Sequence, residues 1–206
     1  MDKLNIINCG ISSMPLESKR EFIYNLDYQL KYIHDNGGYI RDITPQSIYV
    51  DPGTNFPYFE NIYAVSKNIF RDSEMMKKYN LLCLANLAIC LYLPEYNLES
   101  GLLSFGVLSS NFEKIKTFIP DEDVNYYRNV LLENDTSLYY CDYIQKIDSS
   151  NSMLSSNAIK YVKSTPVGRA MTEKSGESGL INYVFITCVV FSLVILAFAA
   201  IFIYYN

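Results

Sequence analysis

The sequence contains few of the residues from which metal centres and disulfide frameworks are built. It has one histidine, His34, and five cysteines in 206 residues. No two cysteines form a C-x-x-C pair, and an odd number does not suit a set of disulfides. The sequence therefore predicts neither a zinc site nor a disulfide framework, and we expect no cofactor.

Positive charge is also scarce. Lysine and arginine number 17 against 22 aspartate and glutamate residues, which gives a net charge of -5. Nucleic-acid-binding proteins draw most of their affinity from basic groups that neutralise phosphates, so this balance argues against a DNA or RNA partner. Hydrophobic residues make up 50% of the chain, which is too apolar for a wholly disordered protein. The length suits one domain with an appendage.

Charge is absent altogether from the last part of the chain. Residues 181–203 carry no charged side chain. At about 1.5 Å per residue, a helix of that length covers the hydrocarbon core of a bilayer, which is roughly 30 Å thick. The sequence therefore predicts one transmembrane helix within 180–206. Residues that represent this span, including a tyrosine suited to the membrane interface, are Ile181, Tyr183, Phe191, Leu196 and Ile203.

The position of the span predicts how the protein lies in the membrane. Only three residues follow it, as in tail-anchored proteins that are inserted after translation, so we expect a cytosolic head. Basic residues on the N-terminal flank agree with the positive-inside rule. The sequon at Asn134-Asp135-Thr136 should then stay unglycosylated. We expect the membrane to be the endoplasmic reticulum or a viral inner membrane.

Composition divides the remainder into a head at 1–147 and a tether at 148–179. The tether is rich in serine, asparagine and glycine, a composition typical of flexible linkers. In the head, apolar positions recur at helical spacing over 17–34 and 72–93, and the second run is apolar nearly all round. The head is therefore predicted to be mainly α, with the second helix at its centre.

The other elements of the head are predicted from shorter signals. Residues 39–51 indicate a structured loop with a small hairpin. A capping-box pattern at Ser110-Asn111-Phe112-Glu113 predicts that a third helix begins there and ends before Pro120. Two further helices are expected over 121–133 and 137–147.

Two stretches of the head resemble the large lobe of eukaryotic-type protein kinases. Residues 32–51 read Y-I-H-D-N-G-G-Y-I-R-D-I-T-P-Q-S-I-Y-V-D. Without a gap, they resemble the kinase helix end and catalytic loop Y-L-H-x-x-G-x-x-H-R-D-I-K-P-x-N-I-L-V-D. Residues 80–85, N-L-L-C-L-A, are similar to the D-x-W-S-L-G opening of the central kinase helix, with Leu84 unchanged. The resemblance covers about residues 20–95 and implies a shortened large lobe.

The resemblance also implies that the chemistry has been lost. Asp42 stands at the position of the catalytic base and Arg41 precedes it, but the loop lysine is Thr44 and the metal-binding asparagine is Ser47. The Gly-rich loop, the phosphate-binding lysine and the D-F-G metal ligand are missing. We therefore expect no enzyme activity. Arg41, Asp42 and Ser47 are vestigial positions, and we expect Arg41 and Asp42 to hold the loop by hydrogen bonds to its backbone.

These observations lead to three hypotheses about function. The first is a membrane-anchored, catalytically inactive, kinase-like scaffold that binds a protein partner and a lipid bilayer, with homo-oligomers possible. The second is a structural membrane protein of a virion or other assembly that is unrelated to kinases. The third, least favoured by the missing residues, is an active membrane-bound kinase. A nucleotide thermal-shift assay separates the first from the third.

A missing small lobe predicts an apolar surface that something else must cover. The residues concerned are Ile40, Ile43, Phe56 and Phe59. Large bare apolar patches are rare on soluble surfaces. We therefore expect this surface to be covered by the N-terminal segment 1–15, by a second copy or by a partner.

Overall fold

The head is mainly α-helical, as predicted. The computed structural model describes residues 4–60, 62–64 and 70–147. The tether at 148–179 and the span, with Ile181, Tyr183, Phe191, Leu196 and Ile203, lie outside the described residues. Among the described residues, no helix has both the length and the hydropathy needed to cross a bilayer. The helices are α1 Leu16–Asp35, α2 Phe70–Tyr92, α3 Phe105–Ile115, α4 Val124–Leu132 and α5 Tyr140–Ile147.

Helix α1 agrees with the prediction to within one residue at each end. Its apolar stripe packs into the core, because the residues at three- and four-residue spacing all become buried: Phe22, Ile23, Leu26, Leu30 and Ile33. The chain then turns at Gly37, whose φ of 73 lies in the left-handed region that glycine adopts without strain. This turn leads the chain directly into the first strand of the loop region.

Helix α2 is the central helix of the head. It packs against α1, α4 and the strand that follows α1. Nearly every side chain from 81 to 92 is buried, which explains why its sequence is apolar on all sides. The predicted range of 72–93 is confirmed to within two residues.

Helix α3 begins six residues earlier than predicted. Its N-cap is Ser104, whose Oγ accepts a hydrogen bond from the backbone N–H of Val107 at 3.3 Å. Ser110 lies inside the helix and donates instead to the carbonyl of Gly106 at 2.8 Å. The capping-box prediction was therefore wrong, because a serine within a helix can satisfy its hydroxyl on the preceding turn.

Five short strands form two small antiparallel sheets. They are β1 Leu4–Asn5, β2 Gly38–Ile40, β3 Ile48–Val50, β4 Pro57–Phe59 and β5 Ile62–Ala64. Strand β3 lies between β1 and β4, and β2 pairs with β5. The β3–β4 hairpin has its first strand within the predicted range 39–51, but its second strand lies beyond that range, with Ile48 opposite Phe59.

The N-terminal segment covers the apolar surface near the loop. Strand β1 pairs with β3, and Ile6 and Ile11, which follow it, are buried in the same core as Ile40, Ile43 and Phe59. Phe56 is half-buried. The N-terminal segment is therefore the one of the three expected coverings that the structure shows.

Candidate functional site

The loop at 41–47 connects β2 to β3 and carries two charged residues at the surface. The side chains of Arg41 and Asp42 are 74% and 68% exposed, and Arg41 Nε lies 4.0 Å from Asp42 Oδ2. An exposed ion pair of this kind contributes little to stability, because water screens both charges. Both groups are therefore available to bind from outside.

The structure differs from the expectation that these two residues hold the loop together. Among the described residues, neither Arg41 nor Asp42 makes a side-chain hydrogen bond to the backbone. Asp42 nevertheless lies close to α2. The bond to the Cys83 thiol raises the pKa of the Tyr79 hydroxyl, and the nearby Asp42 carboxylate adds to that increase. Asp42 thus lies beside the exposed side of α2.

Ser47 closes the far end of the loop. Its Oγ accepts a hydrogen bond from the backbone N–H of Thr44 at 3.0 Å and donates to the Thr44 carbonyl at 2.9 Å. Ser47 is buried. The resemblance places a metal-binding asparagine here, whereas this hydroxyl is committed to the turn.

Asn80 of α2 fixes the start of the loop by hydrogen bonds to the backbone. It is fully buried, and its side chain pairs with both backbone groups of Ile40. The Ile40 N–H donates to Asn80 Oδ1 at 3.0 Å, and Asn80 Nδ2 donates to the Ile40 carbonyl at 2.5 Å. Because unpaired buried backbone groups are costly, these two bonds fix the residue that precedes Arg41.

His34 connects Asn80 to the end of the head. Asn80 Oδ1 can only accept, so His34 Nε2 carries a hydrogen and donates to it over 3.1 Å. His34 Nδ1 therefore accepts from the hydroxyl of Tyr139, 2.8 Å away. Burial lowers the pKa of His34 to about 4, so the ring is neutral at pH 7. This agrees with a structural role for His34 and does not suit a catalytic base.

Asp27 is a second buried polar residue on the same side of α1. It is almost inaccessible to solvent, and its Oδ2 accepts the backbone N–H of Cys141 at 2.8 Å. Burial raises the pKa of Asp27 to about 7. The sequence contained a signal for it that we did not use, since Asp27 lies within the apolar stripe of α1 and shares its face with Ile23 and Leu30.

We use the name loop face for four exposed residues of the loop and of α2: Arg41, Asp42, Tyr79, whose hydroxyl lies near the Asp42 carboxylate, and Met75 on the preceding turn of the helix. Met75 and Tyr79 are 63% and 43% exposed and lie one helical turn apart. No group of three or more histidine, cysteine, aspartate or glutamate side chains in the described part of the chain is arranged to hold a metal ion. The loop face thus combines one cation, one anion and two large apolar groups.

Comparisons with protein-family models, with curated proteins and with solved structures find no match for this chain. The kinase resemblance therefore depends on the residues of the chain itself.

Proposed function

We propose that this protein is a membrane-anchored, catalytically inactive binding module whose head resembles the large lobe of a protein kinase. The loop face binds a protein partner, and the apolar run at 181–203 anchors the head to a bilayer. The observation that supports this proposal most strongly is that separate residues hold the backbone of the loop and present side chains to solvent. Buried Asn80 and Ser47 hold its backbone, while Arg41 and Asp42 are exposed.

A loop held in this way is suited to binding. Since its backbone is already ordered, it loses little conformational freedom when a partner docks. The residue types of the loop face also fit, because tyrosine, methionine and arginine are enriched at protein interfaces. The loop face has all three, with Asp42 as an additional charge for orientation.

The same loop is poorly suited to phosphoryl transfer. That reaction depends on positioned metal ions, a lysine on the phosphates and a base. Only the base position is retained, as Asp42, while Thr44 and Ser47 replace the lysine and the metal ligand. An isolated carboxylate at a surface cannot supply the charge stabilisation on which the reaction depends.

The binding role is tested by capture of partner proteins from native membranes with the full-length chain. We expect Tyr79→Ser to abolish recovery of a partner that the unaltered chain recovers. Phe118→Ser is the matched control, since Phe118 is 44% exposed and lies on a different element. Equal recovery with both variants, or recovery of copies of this chain alone, would refute the loop face as the partner site and favour a structural role.

The absence of activity is tested separately by thermal unfolding with ATP and magnesium. A ligand present at 100 times its dissociation constant stabilises a folded protein by about 2.7 kcal/mol. We expect no increase in melting temperature at millimolar nucleotide. A clear increase would contradict the proposal, because it would show a nucleotide site in the head.

A further inference from the structure

Helix α1 carries a stripe of polar side chains along the side that receives the end of the head. The positions alternate by four and three residues, so they share one face of the helix. They are Arg20, Tyr24, Asp27, Lys31 and His34. All five bond to the segment 139–147, which contains α5 and which we call the latch.

Each residue of this stripe has its own bonding partner in the latch. Beyond the His34–Tyr139 and Asp27–Cys141 bonds, Lys31 Nζ lies 2.5 Å from Asp142 Oδ1. Gln145 donates to the Tyr24 hydroxyl at 3.1 Å, and Arg20 Nε donates to the Tyr140 hydroxyl at 3.3 Å. The latch also buries Tyr140, Cys141 and Ile144 in the core.

A contact of this composition is well suited to open as a unit. The Lys31–Asp142 pair is partly exposed, so water can replace its hydrogen bond more readily than it can replace the packing of a buried apolar core. The latch is short, and several of its contacts are polar. Opening this short segment exposes less buried apolar surface than unfolding the whole head does, so we expect it to open first.

The bond between Tyr139 and His34 is part of a longer chain of hydrogen bonds that extends beyond α1. The Tyr139 hydroxyl bonds to His34, His34 bonds to Asn80, and Asn80 bonds to both backbone groups of Ile40. Arg41 is the next residue in the chain. Three consecutive side chains thus connect the latch to the start of the loop, although Tyr139 lies far from the loop in sequence.

We infer that docking of the latch on α1 controls the conformation of the loop face through His34 and Asn80. An opened latch removes the hydrogen bond that orients His34, and His34 then no longer holds the Asn80 oxygen. Two sites are coupled only if a two-state element is biased by both, and here that element is the docked or open latch. The biological use of this coupling rests on the proposed function, because the latch leads into the segment proposed as the membrane tether.

Hydrogen exchange measured by mass spectrometry on the full-length chain tests this inference. Tyr139→Phe removes only the hydroxyl that bonds to His34. We expect amide exchange at 40–47 to accelerate roughly fivefold, which corresponds to the loss of one net hydrogen bond. The matched control is Tyr143→Phe, which removes another hydroxyl of the latch, one that donates to the carbonyl of Glu122 instead. It should leave exchange at 40–47 unchanged.

A second variant opens the latch without altering the connection itself. Asp142→Asn weakens the partly exposed pair with Lys31, and we expect faster exchange both in 139–147 and in 40–47. Faster exchange confined to 139–147 in both variants would overturn the inference, as would an equal effect of Tyr143→Phe on the loop. Measurements in detergent and in lipid nanodiscs separate this result from membrane anchoring, since the coupling lies within the head.

Discussion

At the scale of single residues, two buried titratable groups on α1 act on stability in opposite directions. His34 is held neutral, with its pKa lowered to about 4, and Asp27 has its pKa raised to about 7. Burial is the largest cause of both shifts, because it disfavours the charged form of each group. Between pH 5 and pH 8, the changes that the two groups cause in the free energy of unfolding should largely cancel. In a variant that lacks one of the two groups, the pH dependence due to the other should become measurable.

The first prediction concerns His34. Unfolded histidine takes up a proton near pH 6.5, whereas folded His34 resists protonation until about pH 4. Its contribution is therefore complete above pH 6.5 and is lost as the pH falls towards 4. Relative to the unaltered chain, His34→Gln should lose about 2 kcal/mol of unfolding free energy as pH rises from 5 to 8. Urea unfolding at the two pH values measures this difference, and an unchanged difference would refute a neutral, buried His34.

The second prediction concerns Asp27 and has the opposite sign. The folded state keeps a proton on Asp27 up to about pH 7, whereas the unfolded state releases it near pH 3.8. Asp27 therefore favours folding least at high pH. Relative to the unaltered chain, Asp27→Asn should gain about 2–3 kcal/mol between pH 5 and pH 8. The same urea experiment measures it, and an unchanged difference over that interval would show that Asp27 is already ionised in the folded protein at pH 5.

At the scale of elements, the sequence predicts long helices better than short ones. Helices α1 and α2 have many apolar positions and clear ends at Gly37 and Pro94, so their bounds were predicted closely. Helix α5 begins three residues later than predicted, because Asn134 adopts a φ of 56 and Asp135 accepts the N–H of Ser137 in a turn that prolongs the loop. Strand β1 has only two residues, too few for any periodic signal.

The third prediction distinguishes the two serines of α3. Ser104→Ala should cost about 1 kcal/mol of unfolding free energy, because it removes the N-cap. Ser110→Ala should be neutral or slightly stabilising, since alanine favours the helix interior and the hydroxyl of Ser110 only returns to the preceding turn. Urea unfolding of both full-length variants at one pH measures the contrast. An equal cost would contradict the helix start at Phe105.

At the scale of the whole molecule, the sequence drew attention to Arg41 and Asp42 but not to Met75 and Tyr79, nor to the residues that support the loop. Arg41 and Asp42 could be located from the run of residues around them. The residues that support them could not be located in this way, because Tyr139 and His34 are 105 positions apart and nothing in one sequence states that they are in contact. The expectation that Arg41 and Asp42 hold the loop failed because Asn80 already pairs with both backbone groups of Ile40.

The membrane anchor is central to the proposal, and the sequon at Asn134 can be used to test it. Asn134 is exposed in the loop between α4 and α5, so its sequon is accessible to a glycosyltransferase. A head in the cytosol never meets that enzyme. The glycosylation state of Asn134 therefore reports the side of the membrane on which the head lies.

The most direct test is expression of the full-length chain with a short segment that carries a second sequon added at its C-terminal end. We predict that the protein stays with membranes after alkaline carbonate extraction, that the appended sequon is glycosylated, and that Asn134 is not. An Asn134→Gln variant confirms which site carries any glycan. A glycan on Asn134, or release of the intact chain by carbonate, would contradict the account.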